Sequence, residues 1–380
     1  MNRILIDGRP IRPPISGVAR YCLSLGNAFA ARQPDDLGLP DMLVQYDNGR
    51  NISPDALDLA LRQIEYRPFR HRKLQNVMFE FLPSLVGRGA LGSYDLVHET
   101  YFANTVTRPG QRKIATIHDV IPIDHPEFFN RNNRIFTRRN FYRQARETSA
   151  IIAVSHFTKQ RILELADIAP DKIHVIGCGV DLPPRTLIDG VQWPIRDQVA
   201  QDAQYGLYIG NLEPRKNLDA LIEAWAKLGS AYDNAKLVVV GRLNYQAEAT
   251  VERGRALLGN RFVFIGPASE AEKWALLSHA TFLALPSLYE GYGIPIIEAY
   301  ACGVPAIFAR NSSMTELAVD ERQMFDGSSR DEIVVAIRRV LDREAWVQAA
   351  VVDRIAWVER NRWSDIADQV ANVYRNVLGA

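Results

Sequence analysis

The chain predicts an α/β protein built from two doubly wound parallel-sheet domains. Three observations carry that expectation. Short Val/Ile/Leu runs alternate with amphipathic stretches along almost the whole chain, the pattern of parallel strands buried on both faces by helices. At 380 residues the chain is too long for one ordinary core. The alternation lapses between Asp181 and Gln204, where Pro183, Pro184, Gly190 and Pro194 leave little periodicity. The expected division is 1–182 for the first domain, 183–204 for a linker, 205–360 for the second domain and 361–380 for a terminal helix.

Taken in order, the first half offers strands at Arg3–Asp7, Met42–Tyr46, Asp95–His98, Lys113–Ile117, Ala150–Val154 and His174–Ile176. The second half offers Tyr205–Ile209, Lys236–Val240, Arg261–Ile265, Thr281–Leu285 and Pro305–Phe308. Each half therefore has enough strands for its own sheet. Helices are expected at Ala19–Ala31, at Leu218–Leu228 with Asn217 as cap, and after Ser269. Another should run from Pro295, which suits a first helical turn, to Gly303, which suits a helix end. Near the C-terminus Trp363, Ile366, Val370, Val373 and Val377 share one helical face after Ser364, a candidate cap. That face needs an apolar partner, and packing back on the first domain is one way to supply it.

Composition excludes several classes. Cys22, Cys178 and Cys302 are far apart with no paired spacing, which argues against a disulfide framework or zinc site and for a reducing compartment. Met1–Asp7 reads as a strand rather than a signal peptide, and no apolar run approaches the roughly 18–20 residues of a membrane span. A cytoplasmic enzyme is expected, with peripheral contact to the membrane face as an extension. Formal net charge is +1, yet residues 1–185 hold 25 Lys and Arg against 19 Asp and Glu, and residues 186–380 hold 20 against 25. Such asymmetry can steer toward an anionic surface or acceptor, or can be scatter among solvated side chains. Two segments mix arginine with aromatics, Tyr66–Lys73 (before the apolar stretch Val77–Val86) and Arg131–Arg146. Each could touch anionic lipid or a lipid-diphosphate acceptor, or be an ordinary solvated helix. The near-neutral balance disfavours nucleic acid as a partner.

The stretch Glu290-Gly-Tyr-Gly-Ile-Pro-Ile-Ile-Glu298 is the most informative. Acids beside buried strands are costly unless hydrogen-bonded. Gly291 and Gly293 allow close approach of a ligand to backbone, and the helix that Pro295 opens offers free amides to an anion. A ribose diol suits a carboxylate, whose two oxygens accept two hydroxyls. Upstream, Gly210-Asn211-Leu212-Glu213-Pro214-Arg215-Lys216 leaves a strand and enters a helix, so its two cations suit phosphate or form an exposed turn. The strand end at Phe264-Ile265-Gly266 could receive a flat base along its main chain. In the first half, Gly17 precedes a helix, and His118 with Asp119 ends a strand. A tight turn and a backbone-held histidine are the plainer accounts of these two.

Taken together, five segments resemble the retaining nucleotide-sugar glycosyltransferases of family four, near the mannosyltransferase branch. They are Ser16–Tyr21, Thr116–Phe129, Ala153–Ile162, Tyr208–Trp225 and Phe264–Ala318, the last containing LYEGYGIPIIEAYACG. Residues 48–92 carry no resemblance. The resemblance implies the GT-B architecture: two Rossmann-like domains facing a central cleft, the first binding acceptor and the second binding the nucleotide sugar.

Residue by residue, it implies that Glu298 bonds the donor ribose and Glu290 the sugar hydroxyls. Arg215 and Lys216 hold the diphosphate, and backbone at Gly17 completes its cradle. Gly291, Tyr292, Gly293 and Ile294 approach sugar and phosphates. Gly210 belongs to the same donor-binding set, the main chain near Ile265 meets the base, and His118 sits beside the anomeric centre. His118, Glu290, Arg215 and Lys216 form the expected catalytic set. One departure is Asn211, which stands in a region where many relatives carry arginine. The resemblance further implies transfer without a metal or other cofactor, GDP-mannose or a related GDP- or TDP-deoxysugar as donor, and a glycan or lipid-linked saccharide as acceptor in polysaccharide or lipopolysaccharide assembly. Two alternatives stand beside it: a sugar-nucleotide epimerase of the same architecture, and a non-catalytic sugar-nucleotide-binding module.

Overall fold

The structure, a computed structural model, describes residues 2–11, 15–33, 35–44, 60–65, 91–102, 110–182, 185–189, 191, 204–244 and 247–379. The basic segment Tyr66–Lys73, the apolar stretch after it and most of the expected linker lie outside these residues. Two compact units emerge. One joins Met1–Gly179 to Asn361–Ala380, and the other is Val180–Arg360.

The first unit holds seven strands: β1 Ile4–Asp7, β2 Asp41–Val44, β3 Gln63–Glu65, β4 Leu96–Glu99, β5 Arg112–Ile117, β6 Ala150–Ala153 and β7 Ile173–Val175. They pair in parallel in the order β3-β2-β1-β4-β5-β6-β7. The order reverses between β1 and β4, the kind of switch point beyond whose strand ends α/β folds bind ligands. Every residue of β1, β2, β4 and β6 is buried, as strands covered by helices on both faces must be.

The helix Trp363–Leu378 closes this unit by packing on the helix Gly17–Ala31. Phe29 and Tyr374 stack with ring centres 5.6 Å apart, and Tyr21 meets Trp363 edge-on at the same separation. Arg32 pairs with Asp368 at 2.8 Å, and Arg375 with Asp35 at 2.6 Å. A side chain at Gly179 would lie 2.8 Å from the Trp363 backbone, so this close passage requires glycine. Arg362, not Ser364, occupies the cap, and its backbone N–H is met by Asp365.

The second unit holds β8 Tyr205–Ile209, β9 Lys236–Val240, β10 Phe262–Gly266, β11 Phe282–Leu285, β12 Ala306–Ala309 and β13 Met324–Phe325. These too are all parallel, in the order β10-β9-β8-β11-β12-β13. Here the switch point falls between β8 and β11, whose following loops carry Arg215–Lys216 and Glu290–Gly293.

Two strands have no counterpart in the sequence expectation, Gln63–Glu65 and Met324–Phe325. Both are edge strands, three and two residues long. Gln63–Glu65 has one apolar residue between two polar ones and Met324–Phe325 has only two residues, so neither presents an apolar run such as the short Ile173–Val175 does.

Candidate active site

In the second unit, the loops after β8 and β11 are stitched together before any side chain does chemistry. Asn217 is left-handed at φ 56°, a conformation that asparagine tolerates better than most residues. It sits at the N-cap position of the helix Leu218–Ala226, yet its amide does not cap. Nδ2 donates instead to the carbonyls of Pro286 at 3.1 Å and Gly327 at 2.8 Å. The Leu288 N–H donates to the Arg215 carbonyl at 2.7 Å. Ser313 Oγ then donates to the carbonyls of Glu290 and Tyr292, and the Glu290 N–H donates to Ser312 Oγ at 3.0 Å. The acidic loop is therefore held by β12's following turn as well as by β8's.

On this frame Arg215, Lys216 and Glu290 converge. Lys216 Nζ lies 2.5 Å from Glu290 Oε1. Arg215 Nη1 lies 3.5 Å from Glu290 Oε2 and donates to the Tyr289 carbonyl at 3.1 Å, while its Nε reaches Glu213 at 3.0 Å. Burial pushes the Glu290 carboxyl up, but Lys216 and Arg215 outweigh it and hold the group below its ordinary value. Two cations focused on one carboxylate at strand ends form a site of concentrated, orientable charge, able to exchange one anion for another.

Glu298 is placed differently. It lies in the helix Ile294–Ala301 and is buried at 4% exposure. Lys273 Nζ, from the helix Glu270–Ser278, stands 2.5 Å from Glu298 Oε1, 3.1 Å from Glu270 and 4.7 Å from the centre of the Trp274 ring. Gly293, left-handed at φ 114°, turns the chain into the Glu298 helix, and Pro295 occupies its first turn. A Cβ on Gly293 would meet Leu317 at 3.0 Å.

From β8 outward to the β10 edge, the strand ends carry glycine. Gly210, Gly241 and Gly266 end or follow β8, β9 and β10. They are linked by the Gly210 N–H to Val240 and the Gly241 N–H to Gly266. A Cβ on Gly241 would lie 1.8 Å from the Gly210 carbonyl oxygen, so no other residue fits this ledge. Ile265 is half-buried immediately before Gly266. A flat ring can lie on such a surface and bond to main chain.

In the first unit, taken by itself, lie the expected residues Gly17 and His118. Gly17 opens its helix, exposed, with Ser16 Oγ accepting from the Ala19 N–H at 3.2 Å. His118 follows β5, and its Nε2 lies 2.9 Å from the Thr100 carbonyl. A carbonyl only accepts, so Nε2 carries the proton and Nδ1 is the bare nitrogen. Burial pushes the imidazole down to about 4, against the opposing pull of the Thr100 bond. The ring sits edge-on to Tyr21 at 4.8 Å.

Of the expected site residues, the structure brings Arg215, Lys216 and Glu290 into direct contact and holds Tyr292 through Ser313. Glu298 forms a separate pair with Lys273. Lys273, Ser312, Ser313 and the bridging role of Asn217 escaped the sequence reading. Lys273 had one usable signal: a lysine on the helix after the base-side strand, near an acid that needed a partner. Among the described residues no cluster of three or more His, Cys, Asp or Glu could hold a metal ion, and no helix is long and apolar enough to cross a membrane.

Comparison with known proteins matches two family models, one to each half of the chain, the second running on into the terminal helix that the structure joins to the first unit. Residues 15–183 match the model described as Glycosyltransferase Family 4, and residues 192–373 that described as Glycosyl transferases group 1. The chain is 26% identical to O-antigen chain mannosyltransferase B of Escherichia coli, over 98% of this chain and 99% of that one. It is 25% identical to the MMP alpha-(1->4)-mannosyltransferase of Mycolicibacterium hassiacum, over 79% and 75%. Among solved structures, Anabaena Alr3699/HepE in complex with UDP-glucose superposes with a TM-score of 0.74 at 16% identity, covering 99% of this chain and 100% of that one. The last likeness speaks to fold.

Proposed function

Since the chain belongs to the family-four glycosyltransferases of GT-B architecture, in their mannosyltransferase-like branch, we propose that it moves mannose or a related deoxysugar from a nucleotide diphosphate, with retention at the anomeric carbon. GDP-mannose is the favoured donor. The acceptor is a glycan or lipid-linked saccharide of surface polysaccharide or lipopolysaccharide assembly, a reading supported by the O-antigen chain in the Escherichia coli relative's name. The observation that carries this reading is the convergence of Arg215 and Lys216 on Glu290 at the β8/β11 switch point.

The chemistry follows from charge. As the bond from the anomeric carbon to the diphosphate breaks, negative charge grows on the leaving oxygen. Arg215 and Lys216 are positioned to meet it, exchanging part of their hold on Glu290 for phosphate. Glu290, released in part, accepts from sugar hydroxyls. Glu298 accepts from the ribose diol, with Lys273 supplying the cation that makes a buried carboxylate tolerable. The base lies along the glycine ledge near Ile265. The acceptor hydroxyl attacks from the face that the diphosphate leaves, and its proton passes to the leaving phosphate oxygen. No second carboxylate is assigned as nucleophile, unlike the paired acids of retaining hydrolases. His118, neutral, hydrogen-bonds the donor sugar through Nδ1 and orients it. The reaction proposed needs no metal.

Peripheral membrane contact is part of the proposal. The helix Arg131–Glu147 exposes Arg131, Arg134, Arg138 and Arg146 together with Ile135 and Tyr142. Basic and apolar groups on one exposed surface suit an anionic bilayer. Flotation with vesicles containing or lacking anionic lipid tests it, and binding indifferent to lipid charge and salt removes it.

For the reaction itself, a thermal-shift screen against GDP-, UDP- and TDP-sugars identifies the donor. Ligand at one hundred times its dissociation constant adds about 2.7 kcal/mol, enough to read. NMR of the product then reports the anomer. A pure inverted product sinks the retaining mechanism.

A further inference from the structure

The sheet face that carries His118 also carries a line of buried polar groups for which the reaction above has no use. His98 on β4 is fully buried with both ring nitrogens engaged: Nδ1 lies 2.7 Å from the Tyr374 hydroxyl, and Nε2 lies 2.7 Å from Thr116 Oγ1. Thr116 Oγ1 lies 3.3 Å from the Tyr21 hydroxyl. The Tyr21 ring then presses edge-on against the His118 imidazole at 84°, with Trp363 on another side. Tyr374, His98, Thr116 and Tyr21 are each at most 1% exposed. The line runs from the terminal helix through β4 and β5 to the candidate site histidine.

Adhesion of the terminal helix does not require this line. Phe29, Trp363, Ile366, Val370 and Val373 already bury that helix's apolar face, and apolar groups of the same shape hold a buried seam about as well as hydrogen-bonded ones. What directional bonds add is a single arrangement. His118 has two constraints on its ring: the Nε2–H bond to Thr100, which fixes one end, and the Tyr21 edge, which fixes the plane. The second depends on where the Tyr21 hydroxyl is held. Thr100 is itself locked, since its hydroxyl donates to the Asp7 carbonyl at 2.5 Å and receives Cys22 Sγ at 3.0 Å.

We propose that Tyr374, His98 and Tyr21 are positioning residues for His118, so that the terminal helix, arriving after the whole second unit in sequence, sets the orientation of the first unit's candidate histidine. The inference rests on the reading that His118 contacts the donor sugar. Neither Tyr374 nor His98 touches substrate. They act by fixing the imidazole plane and hence the direction of Nδ1.

The test uses the full-length protein with ¹⁵N-labelled histidine. Tyr374→Phe and His98→Leu each cut the line, and Tyr21→Phe removes one hydroxyl without changing shape. His98→Gln keeps a donor and an acceptor. The expected result is a shift of the His118 ring resonances in the three disrupting variants, with kcat down about tenfold, the scale of outer-shell substitutions, and donor KM within about twofold. His98→Gln should recover most of both. Folded variants with unmoved His118 resonances and unchanged kcat, showing lost thermal stability alone, overturn the proposal. His118→Ala is measured alongside. If it transfers sugar at the wild-type rate, the reading of His118 as a site residue fails, while the ring resonances still decide whether the line positions it.

Discussion

Lys273 and Glu298 form a buried ion pair, 2.5 Å from Nζ to Oε1, between two helices of the second unit. Each side chain is at most 7% exposed, so neither charge has water to fall back on. Removing one partner strands the other. Lys273→Met should destabilise by about 3–5 kcal/mol, whereas replacing both with apolar residues should recover much of the loss. The double variant Lys273→Met/Glu298→Leu is therefore expected to melt close to wild type and yet show no thermal shift with nucleotide sugar. A full donor-induced shift in that double variant would remove Glu298 from the nucleotide site.

Glu290 offers a pH test with a definite sign. Its folded carboxyl is held below the ordinary value, although burial alone would raise it. A depressed carboxylate contributes stability that is present above its unfolded pKa, about 4.3, and lost as pH falls through the folded value. Glu290→Gln should therefore melt below wild type at pH 7, and the gap should close as pH drops below about 4. Melting curves from pH 3 to 8 measure it. A gap that widens in acid is the contrary result.

How much of this was legible in the sequence depends on the length over which each signal acts. All but two strands of the sheets were readable because each lies in a local apolar run. The acidic loop was readable because its glycines, proline and two acids lie within nine residues. The edge strands Gln63–Glu65 and Met324–Phe325 were not, since one has a single apolar residue between two polar ones and the other only two residues, and pairing with β2 and β12 is what makes them strands. Lys273 and Glu298 lie 25 positions apart, on helices joined through a strand and a loop, and no period connects them. The partner of the terminal helix was open for the same reason: its apolar face was visible, but Phe29 and Tyr21, which meet it, lie more than 300 residues away.

Gly241 tests the ledge. A methyl group there would fall 1.8 Å from the Gly210 carbonyl oxygen, a backbone atom with little room to move. Gly241→Ala must displace the loop that leads to Arg215. A cost of about 1–3 kcal/mol is expected, in the range of overpacked sites, together with weaker donor binding. Gly259→Ala is the control for glycine replacement as such, since Gly259 has positive φ but open space around its Cβ position. Equal donor affinity in both variants would show that the ledge does not carry the base.

Arg215 and Lys216 should separate by kinetics rather than by stability. Both hold Glu290 in the resting site, but their proposed work is on charge that appears only as the diphosphate leaves. Lys216→Met and Arg215→Met should each lower kcat by about 10²–10³, the scale for losing one donor to a developing oxyanion. Donor KM should change far less. If KM rises while kcat holds, the two cations bind donor and transition state alike, and the assignment to leaving-group stabilisation is wrong.

The pH–rate profile bears on His118. Burial lowers its imidazole to about 4, the Thr100 carbonyl bond opposing without reversing the shift. Folding therefore favours the neutral ring. Its contribution to stability is complete above the unfolded value of about 6.5 and is lost as pH falls toward the folded one. The same buried face holds His98 lowered to about 3, so neither ring gains a proton within the physiological range. A histidine serving as a general base with an ordinary pKa would produce an acid limb near 6.5 in kcat/KM. A neutral orienting group produces none at that pH, and the profile should stay level from about pH 5 to 8 as far as this residue is concerned, with its acid limb displaced toward 4. An inflection near 6.5 that disappears in His118→Gln would mean that the ring takes up the acceptor's proton, and front-face transfer to the leaving phosphate would have to give way.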